Sequence, residues 1–131
     1  MSHILLVEDD TYFIELLEVM LVREGHQVSM VGDGVEALLW LADHRADLII
    51  TDLMMPNMDG MTLIQELKRL NIDTPVIVMS GGQRSSPEEL SEESARQLGF
   101  KTALTKPFKR LELQKAVELA LAEQLTPLTP I

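Results

Sequence analysis

The sequence predicts a doubly wound α/β fold, in which a five-stranded parallel sheet is covered by helices on both faces. Short apolar runs alternate along the chain with longer segments whose apolar residues recur at helical spacing. The short runs are apolar almost throughout, which is typical of strands buried on both faces. Together these two observations favour a parallel sheet over a hairpin-based one.

The first half of the chain contains three predicted strands and two predicted helices. The strands are expected at 3–8 (HILLVE), 27–32 (QVSMVG) and 47–51 (DLIIT). Thr11–Arg23 and Val35–His44 have the apolar spacing of helices. Gly25 follows the first of them, where a helix C′ glycine is common, so the first helix is expected to end there.

The second half continues the alternation of helices and strands. Its predicted elements are a helix at 60–70, a strand at 75–80 (PVIVMS), a helix from Ser86-Pro87 to near Gly99, a strand at 101–105 (KTALT) and a helix over Phe108–Leu125. Two prolines in the last six residues interrupt any helix there. We therefore predict one domain over residues 1–125 and a flexible tail at 126–131.

Composition narrows the classes of function. The 131 residues are 46% hydrophobic, which is enough for one folded domain. With no cysteine there can be no disulfide or thiolate metal site. A formal charge of −10 argues against direct binding to nucleic acid or an anionic membrane. No basic leader or long apolar run is present, so we expect a cytoplasmic protein.

Polar side chains lie where four of the five predicted strands end. Glu8 and Asp9 lie at the end of the first strand, Asp52 at that of the third, Ser80 at that of the fourth and Lys106 at that of the fifth. Ligands of open α/β sheets bind at this edge. Neighbouring carboxylates repel each other unless a cation lies between them, and oxygen ligands suit Mg²⁺ or Mn²⁺. The pattern therefore predicts a phosphoryl-transfer site with Asp52 as the nucleophile.

Each of these residues also has a plainer interpretation. Asp52 could occupy a turn or cap a helix, and Ser80 could be an ordinary loop serine before two glycines. The run Glu8 to Asp10 could begin a helix, where anions are favoured, and Asp10 is expected to do so. Glu8, Asp9, Asp52 and Ser80 share one edge of the predicted sheet, and this favours the functional interpretation for these four residues.

These residues resemble the response-regulator receiver family of two-component systems, in its chemotaxis-regulator-like form, over about residues 3–124. The resemblance rests on four motifs: the pair Glu8-Asp9; Asp52 with the following Met-Pro-Asn-Met-Asp-Gly at 55–60; Ser80; and Lys106-Pro107-Phe108. The motif around Asp52 is long and specific, and the order of the four motifs along the chain adds to that specificity.

The resemblance implies a flavodoxin-like (α/β)5 sandwich with strand order 2-1-3-4-5 and a cis peptide bond at Lys106-Pro107. It implies a histidine kinase or phosphotransfer protein as the phosphodonor to Asp52. It also implies that Asp9, Asp52 and the backbone carbonyl of Met54 bind the metal, with Glu8 contributing mainly through water. The chain would catalyse only its own phosphorylation and dephosphorylation, without a separate substrate, and so would not be an enzyme in the usual sense.

Two features depart from the family pattern. The connection from Ser80 to Lys106 is several residues longer than usual and begins with Gly81 and Gly82. Ala103 stands where receivers often carry the aromatic side chain of their conformational switch. The switch region comprises Gly81, Gly82, Ala103 and Pro107. We predict that phosphorylation changes mainly the conformation of the loop after Ser80.

The combined interpretation is a receiver without an attached output domain, a monomer or weak dimer that acts through an unknown downstream protein. Two alternatives stay open: a binding module of the same fold that is not phosphorylated, and a Mg²⁺-dependent phosphohydrolase with an aspartyl nucleophile. His3, His26 and His44 are assigned no metal-binding or phosphohistidine role. Trp40 is expected to be a core or half-exposed ring.

Overall fold

The computed structural model describes residues 2–53, 58, 60–81 and 102–125. The helix predicted at 86–99, Gly82 and the tail at 126–131 lie outside the described residues. No helix among the described residues is long and apolar enough to cross a membrane.

Five strands form one sheet with the order β2-β1-β3-β4-β5, and every neighbouring pair is parallel. The strands are β1 His3–Val7, β2 Gln27–Val31, β3 Leu48–Asp52, β4 Val76–Gly81 and β5 Thr102–Lys106. The described helices are α1 Thr11–Arg23, α2 Gly34–Leu41, α3 Gly60–Arg69 and α4 Arg110–Leu125. The predicted fold class and strand order are confirmed.

The sheet separates two hydrophobic cores. Alternate residues of each strand point to opposite faces, so Ile4 and Leu6 join one core while Leu5 and Val7 join the other. Helices α1 and α4 complete the first core, and α2 and α3 complete the second. Because both faces of the sheet are covered, the inner strands are apolar almost throughout, as the sequence predicted, with polar residues mainly at their carboxyl ends.

Local hydrogen bonds define where α1 begins and ends. Asp10 is the N-cap residue, and its side chain accepts hydrogen bonds from the backbone N–H groups of Tyr12 (3.0 Å) and Phe13 (3.1 Å). At the other end Gly25 has φ +94°, and the next N–H, from His26, donates to Leu21. This is a Schellman-type ending, so the predicted roles of Asp10 and Gly25 are confirmed.

Several boundaries differ from the predicted ones by one to three residues. Helix α2 ends at Leu41 rather than His44: the Asp43 N–H donates to the Trp40 carbonyl oxygen three residues back (3.3 Å), and the His44 side chain donates to the same oxygen (2.9 Å). Helix α4 begins at Arg110 rather than Phe108, because the Glu112 carboxylate accepts from the Lys109 N–H (2.9 Å) and caps the helix there. Strand β3 extends to include Asp52.

Candidate functional site

The carboxyl edge of the sheet brings together three charged side chains from distant parts of the chain. Glu8 directly follows β1, Asp52 is the last residue of β3, and Lys106 is the last residue of β5. The Lys106 ammonium donates to Glu8 Oε1 at 2.7 Å and to Asp52 Oδ2 at 3.0 Å. One lysine thus bridges two carboxylates, as expected if the strand ends form one site.

The two carboxylates of the bridge are buried, and the lysine is partly exposed. Glu8 is 3% exposed and Asp52 is 6% exposed, whereas the Lys106 side chain retains 22% of its accessible surface. A buried carboxylate is costly unless it is paired and hydrogen-bonded. Lys106 supplies that pairing to both acids, but its single positive charge cannot neutralise two carboxylates.

A third carboxylate, that of Asp9, completes an acidic cluster. Glu8, Asp9 and Asp52 each offer an oxygen, and these oxygens lie within 4.8 Å of one another. Asp9 is exposed, so solvent reaches the cluster from its side. Oxygen ligands with access to water are what Mg²⁺ prefers, so the residues present fit a divalent cation. Met54, whose carbonyl was expected to take part, lies outside the described residues.

Burial and the neighbouring charges shift two of the titrating groups. Burial raises the pKa of Glu8 above its ordinary value; the hydrogen bond from Lys106 opposes this rise without cancelling it, and the Asp52 charge adds to it. Burial alone would lower the pKa of Lys106, but its hydrogen bonds to Glu8 and Asp52 outweigh that effect, and its pKa is raised. Lys106 therefore stays charged at neutral pH.

Ser80 lies near the end of β4, between the strands that carry Asp52 and Lys106. Its neighbour Met79 pairs with Asp52, and Ser80 itself pairs with Thr105 of β5. Ser80 is 1% exposed, and its hydroxyl has no hydrogen-bond partner among the described residues. An unsatisfied buried hydroxyl is costly, and a ligand oxygen at this edge would satisfy it.

The turn after Asp52 depends on a close backbone approach. A Cβ atom on Gly60 would lie 2.5 Å from the Asp52 carbonyl oxygen, so a larger residue does not fit without a shift. The Gly60 N–H also donates to Leu53 (3.0 Å). Gly60 thus provides the room for the turn into α3 that the sequence predicted, while positions 55–57 and 59 lie outside the described residues.

The structure gives the positions of three of the predicted switch residues, while their role in a switch stays a prediction. Gly81 pairs with Lys106 in the β4–β5 ladder, so β4 ends one residue later than the predicted strand, and Gly81 belongs to the strand rather than to the following loop. Ala103 packs against the second core. The peptide bond between Lys106 and Pro107 is cis, as the family resemblance implied.

Phe13 is a further residue of the site that the sequence did not predict. The Lys106 ammonium lies 4.4 Å from the centre of the Phe13 ring, and Phe13 also makes an edge contact with Phe108 at 5.7 Å between ring centres. The available signal was its position on the inward face of α1, three residues after the Asp10 cap. Nothing in the local sequence connects that position to Lys106.

The aromatic cluster around Trp40 lies at the opposite edge of the sheet. Trp40 stacks on His44 at 4.6 Å between ring centres and meets the edge of His3, the first residue of β1, at 5.2 Å. The ring is half-buried, as predicted. His3 Nε2 pairs with the Ser29 hydroxyl (2.8 Å).

Comparisons with known proteins place the chain in a family. The model of the response regulator receiver domain matches residues 4–118. The transcriptional regulatory protein GlrR of Escherichia coli is 38% identical over 128 residues, which cover 98% of this chain and 28% of that protein. The transcription factor SKN7 of Saccharomyces cerevisiae is 34% identical over 95% of this chain and 20% of its own length. The chain thus spans less than a third of either relative.

Solved structures agree with this placement. The receiver domain of the Francisella response regulator 1452 superimposes with a TM-score of 0.86 at 30% identity, covering 95% of this chain and 99% of that chain. A receiver domain of a signal transduction histidine kinase from Syntrophus aciditrophicus gives a TM-score of 0.84 at 32% identity, covering 100% and 98%. The chain belongs to the response regulator receiver domain family of two-component signalling.

Proposed function

We propose that this chain is a phosphoacceptor, in which Asp52 receives a phosphoryl group from a histidine kinase or phosphotransfer protein in a Mg²⁺-dependent reaction. The observation that carries the proposal is the Lys106 ammonium held between Glu8 and Asp52 beside a cluster of three carboxylates. A bridging lysine and a cation site beside one carboxylate suit attack on a highly charged phosphate donor.

Each residue has a defined task in this reaction. A carboxylate oxygen of Asp52 attacks phosphorus, the new O–P bond forms, and the donor leaves with the electrons of the bond that breaks. Lys106 and the unsatisfied hydroxyl of Ser80 donate hydrogen bonds to the phosphoryl oxygens. Asp9 and Asp52, with Glu8 and the Met54 carbonyl, would hold Mg²⁺ or Mn²⁺, which supplies positive charge to the same oxygens.

The output of this reaction is a change of surface rather than a released product. An acyl phosphate adds negative charge at the sheet edge and biases the neighbouring segments toward one of two arrangements. We propose that a downstream protein recognises that arrangement. In this proposal the chain modifies only itself and has no separate substrate.

Intact-mass measurement after incubation with acetyl phosphate and Mg²⁺ tests the proposal. We expect one added phosphoryl group on the wild-type chain and none after chelation of the metal or in Asp52→Asn. Asp47→Asn is the matched control, because Asp47 lies just before β3 and accepts from the His3 N–H at the opposite edge of the sheet (2.7 Å). A phosphoryl group on Asp52→Asn at the wild-type level would refute the assignment.

A further inference from the structure

Phe13 is a half-buried aromatic residue of α1 that faces the bridging lysine. Its ring centre lies 4.4 Å from Lys106 Nζ, well within the ~6 Å at which an ammonium is attracted to the face of an aromatic ring. The ring also packs against the first hydrophobic core, so the helix and the core hold it in place.

The Lys106 ammonium needs more than its two carboxylate partners to stay in one position. It has three N–H donors, of which one bonds to Glu8 and one to Asp52. Its four-carbon side chain has many rotamers, and part of that side chain remains exposed. An aromatic surface against the ammonium restricts those rotamers and limits its contact with water.

Phe108 makes a second contact with the Phe13 ring. The two phenyl rings meet edge to face, at 5.7 Å between centres and 76° between planes. Phe108 follows Lys106 by two residues in the connection from β5 to α4. The ring of Phe13 therefore contacts both the lysine and the segment that immediately follows it.

We propose that Phe13 is a positioning residue that holds the Lys106 ammonium against the Asp52 carboxylate through a cation–π contact. A donor that is already in place when charge develops on the phosphoryl oxygens needs no rearrangement during the reaction. Phe13 makes and breaks no bond itself. The expected effect of Phe13 on the phosphorylation rate rests on the proposed function. Its effect on the position of the Lys106 ammonium does not depend on that function.

Nuclear magnetic resonance tests the placement without any phosphorylation. We expect nuclear Overhauser effects between the Phe13 ring protons and the Lys106 Hε protons, and an upfield ring-current shift of those Hε resonances, with and without Mg²⁺. Both signals should vanish in Phe13→Leu and return in Phe13→Tyr. Their absence from the wild-type protein, or their loss when Mg²⁺ is added, would overturn the proposal even if Phe13→Leu failed to fold.

Phosphorylation kinetics test the consequence. At saturating Mg²⁺, Phe13→Leu should accept a phosphoryl group from acetyl phosphate about fivefold more slowly, while Phe13→Tyr stays within about twofold of wild type. Tyr12→Leu is the matched control, because Tyr12 is the adjacent aromatic residue of α1 but is 87% exposed. A wild-type rate in Phe13→Leu, or equal slowing of Phe13→Leu and Phe13→Tyr, would contradict the positioning role.

The two measurements separate this proposal from the proposed function. If the wild-type chain is never phosphorylated, the proposed function fails, and the resonance data alone decide whether Phe13 holds the lysine. If the chain is phosphorylated but the ring and lysine resonances show no contact, the proposed function stands and the role of Phe13 is refuted.

Discussion

At the scale of single residues, neighbouring carboxylates have different surroundings. Asp10 is engaged by two backbone N–H groups at the start of α1, whereas Asp9 offers an oxygen to the acidic cluster. Glu8 accepts from Lys106 through one oxygen and from the Asp10 N–H through the other, at 3.0 Å. Three consecutive acids therefore have three separate tasks.

Asp9→Ala should weaken Mg²⁺ binding far more than Asp10→Ala does. Asp10→Ala should instead lower the free energy of unfolding by about 1 kcal/mol, because it removes the helix cap. Isothermal calorimetry measures the affinity; Trp40 fluorescence is a poor reporter because that ring packs against His3 at the opposite edge of the sheet. Equal losses of Mg²⁺ affinity in both variants would refute these assignments.

Lys106→Met should destabilise the metal-free protein by about 1–3 kcal/mol, because Glu8 and Asp52 would stay buried without the hydrogen bonds that the ammonium donates to them. Mg²⁺ should restore more stability to this variant than it adds to wild type, since it supplies the missing positive charge. Urea denaturation with and without Mg²⁺ measures both effects. Lys115→Met, an exposed lysine of α4, is the control and should change stability by less than about 0.5 kcal/mol.

At the scale of elements, the connections after the strands position the site. Gly60, the first residue of α3, lies so close to the Asp52 carbonyl oxygen that an added Cβ atom would be 2.5 Å from it and would force a shift. The connection between β3 and α3 is held from the side by α2, whose first N–H, from Gly34, donates to the Met58 carbonyl oxygen at 3.4 Å. We therefore expect a change in this turn to move the backbone at Asp52.

Gly60→Ala should reduce both stability and Mg²⁺ affinity, because its Cβ would force the backbone at Asp52 to move. Gly25→Ala is an informative control: it has no atom within 4 Å of the added Cβ, and its φ of +94° costs only about 1–2 kcal/mol of backbone strain. We expect Gly25→Ala to lose stability but keep Mg²⁺ affinity, as measured by denaturation and calorimetry. Unchanged Mg²⁺ affinity in Gly60→Ala would show that the turn does not position the site.

At the scale of the whole molecule, the two hydrophobic cores stabilise the fold, whereas the buried carboxylates at the carboxyl edge of the sheet destabilise it. The buried strand residues lie on both faces, while one lysine compensates two buried acids and an exposed third acid lies beside them. A divalent cation that binds only the folded chain therefore stabilises the fold as a whole.

Mg²⁺ at ten times its dissociation constant should stabilise the wild-type fold by about 1.4 kcal/mol and raise Tm by about 5 °C. The shift should be much smaller in Asp9→Ala and unchanged in Asp47→Asn, whose side chain lies at the other edge. Thermal unfolding followed by circular dichroism measures it. A full shift in Asp9→Ala would place the stabilising ion elsewhere on this acidic chain.

Much of the fold could be predicted because its determinants are local. The apolar runs of β1 and β3, the Asp10 cap and Gly25 all act through residues close by in the chain, and each was assigned correctly. Parallel strands place their carboxyl ends at one edge, so the gathering of Glu8, Asp52 and Lys106 followed from topology once the strands were identified. The family motifs added the strand order and the cis bond before Pro107.

The remaining features were decided by tertiary structure. The extent of β4 to Gly81 depends on its ladder with β5, and the contact of Phe13 with Lys106 joins residues from opposite ends of the chain. Helical spacing alone showed that Phe13 faces inward, but not which group it meets there. The sequence by itself determined the elements and the edge where the charges gather, because those depend on short-range patterns. Only the packing of α1 against the sheet decided which ring covers the lysine, because such contacts depend on how distant segments dock.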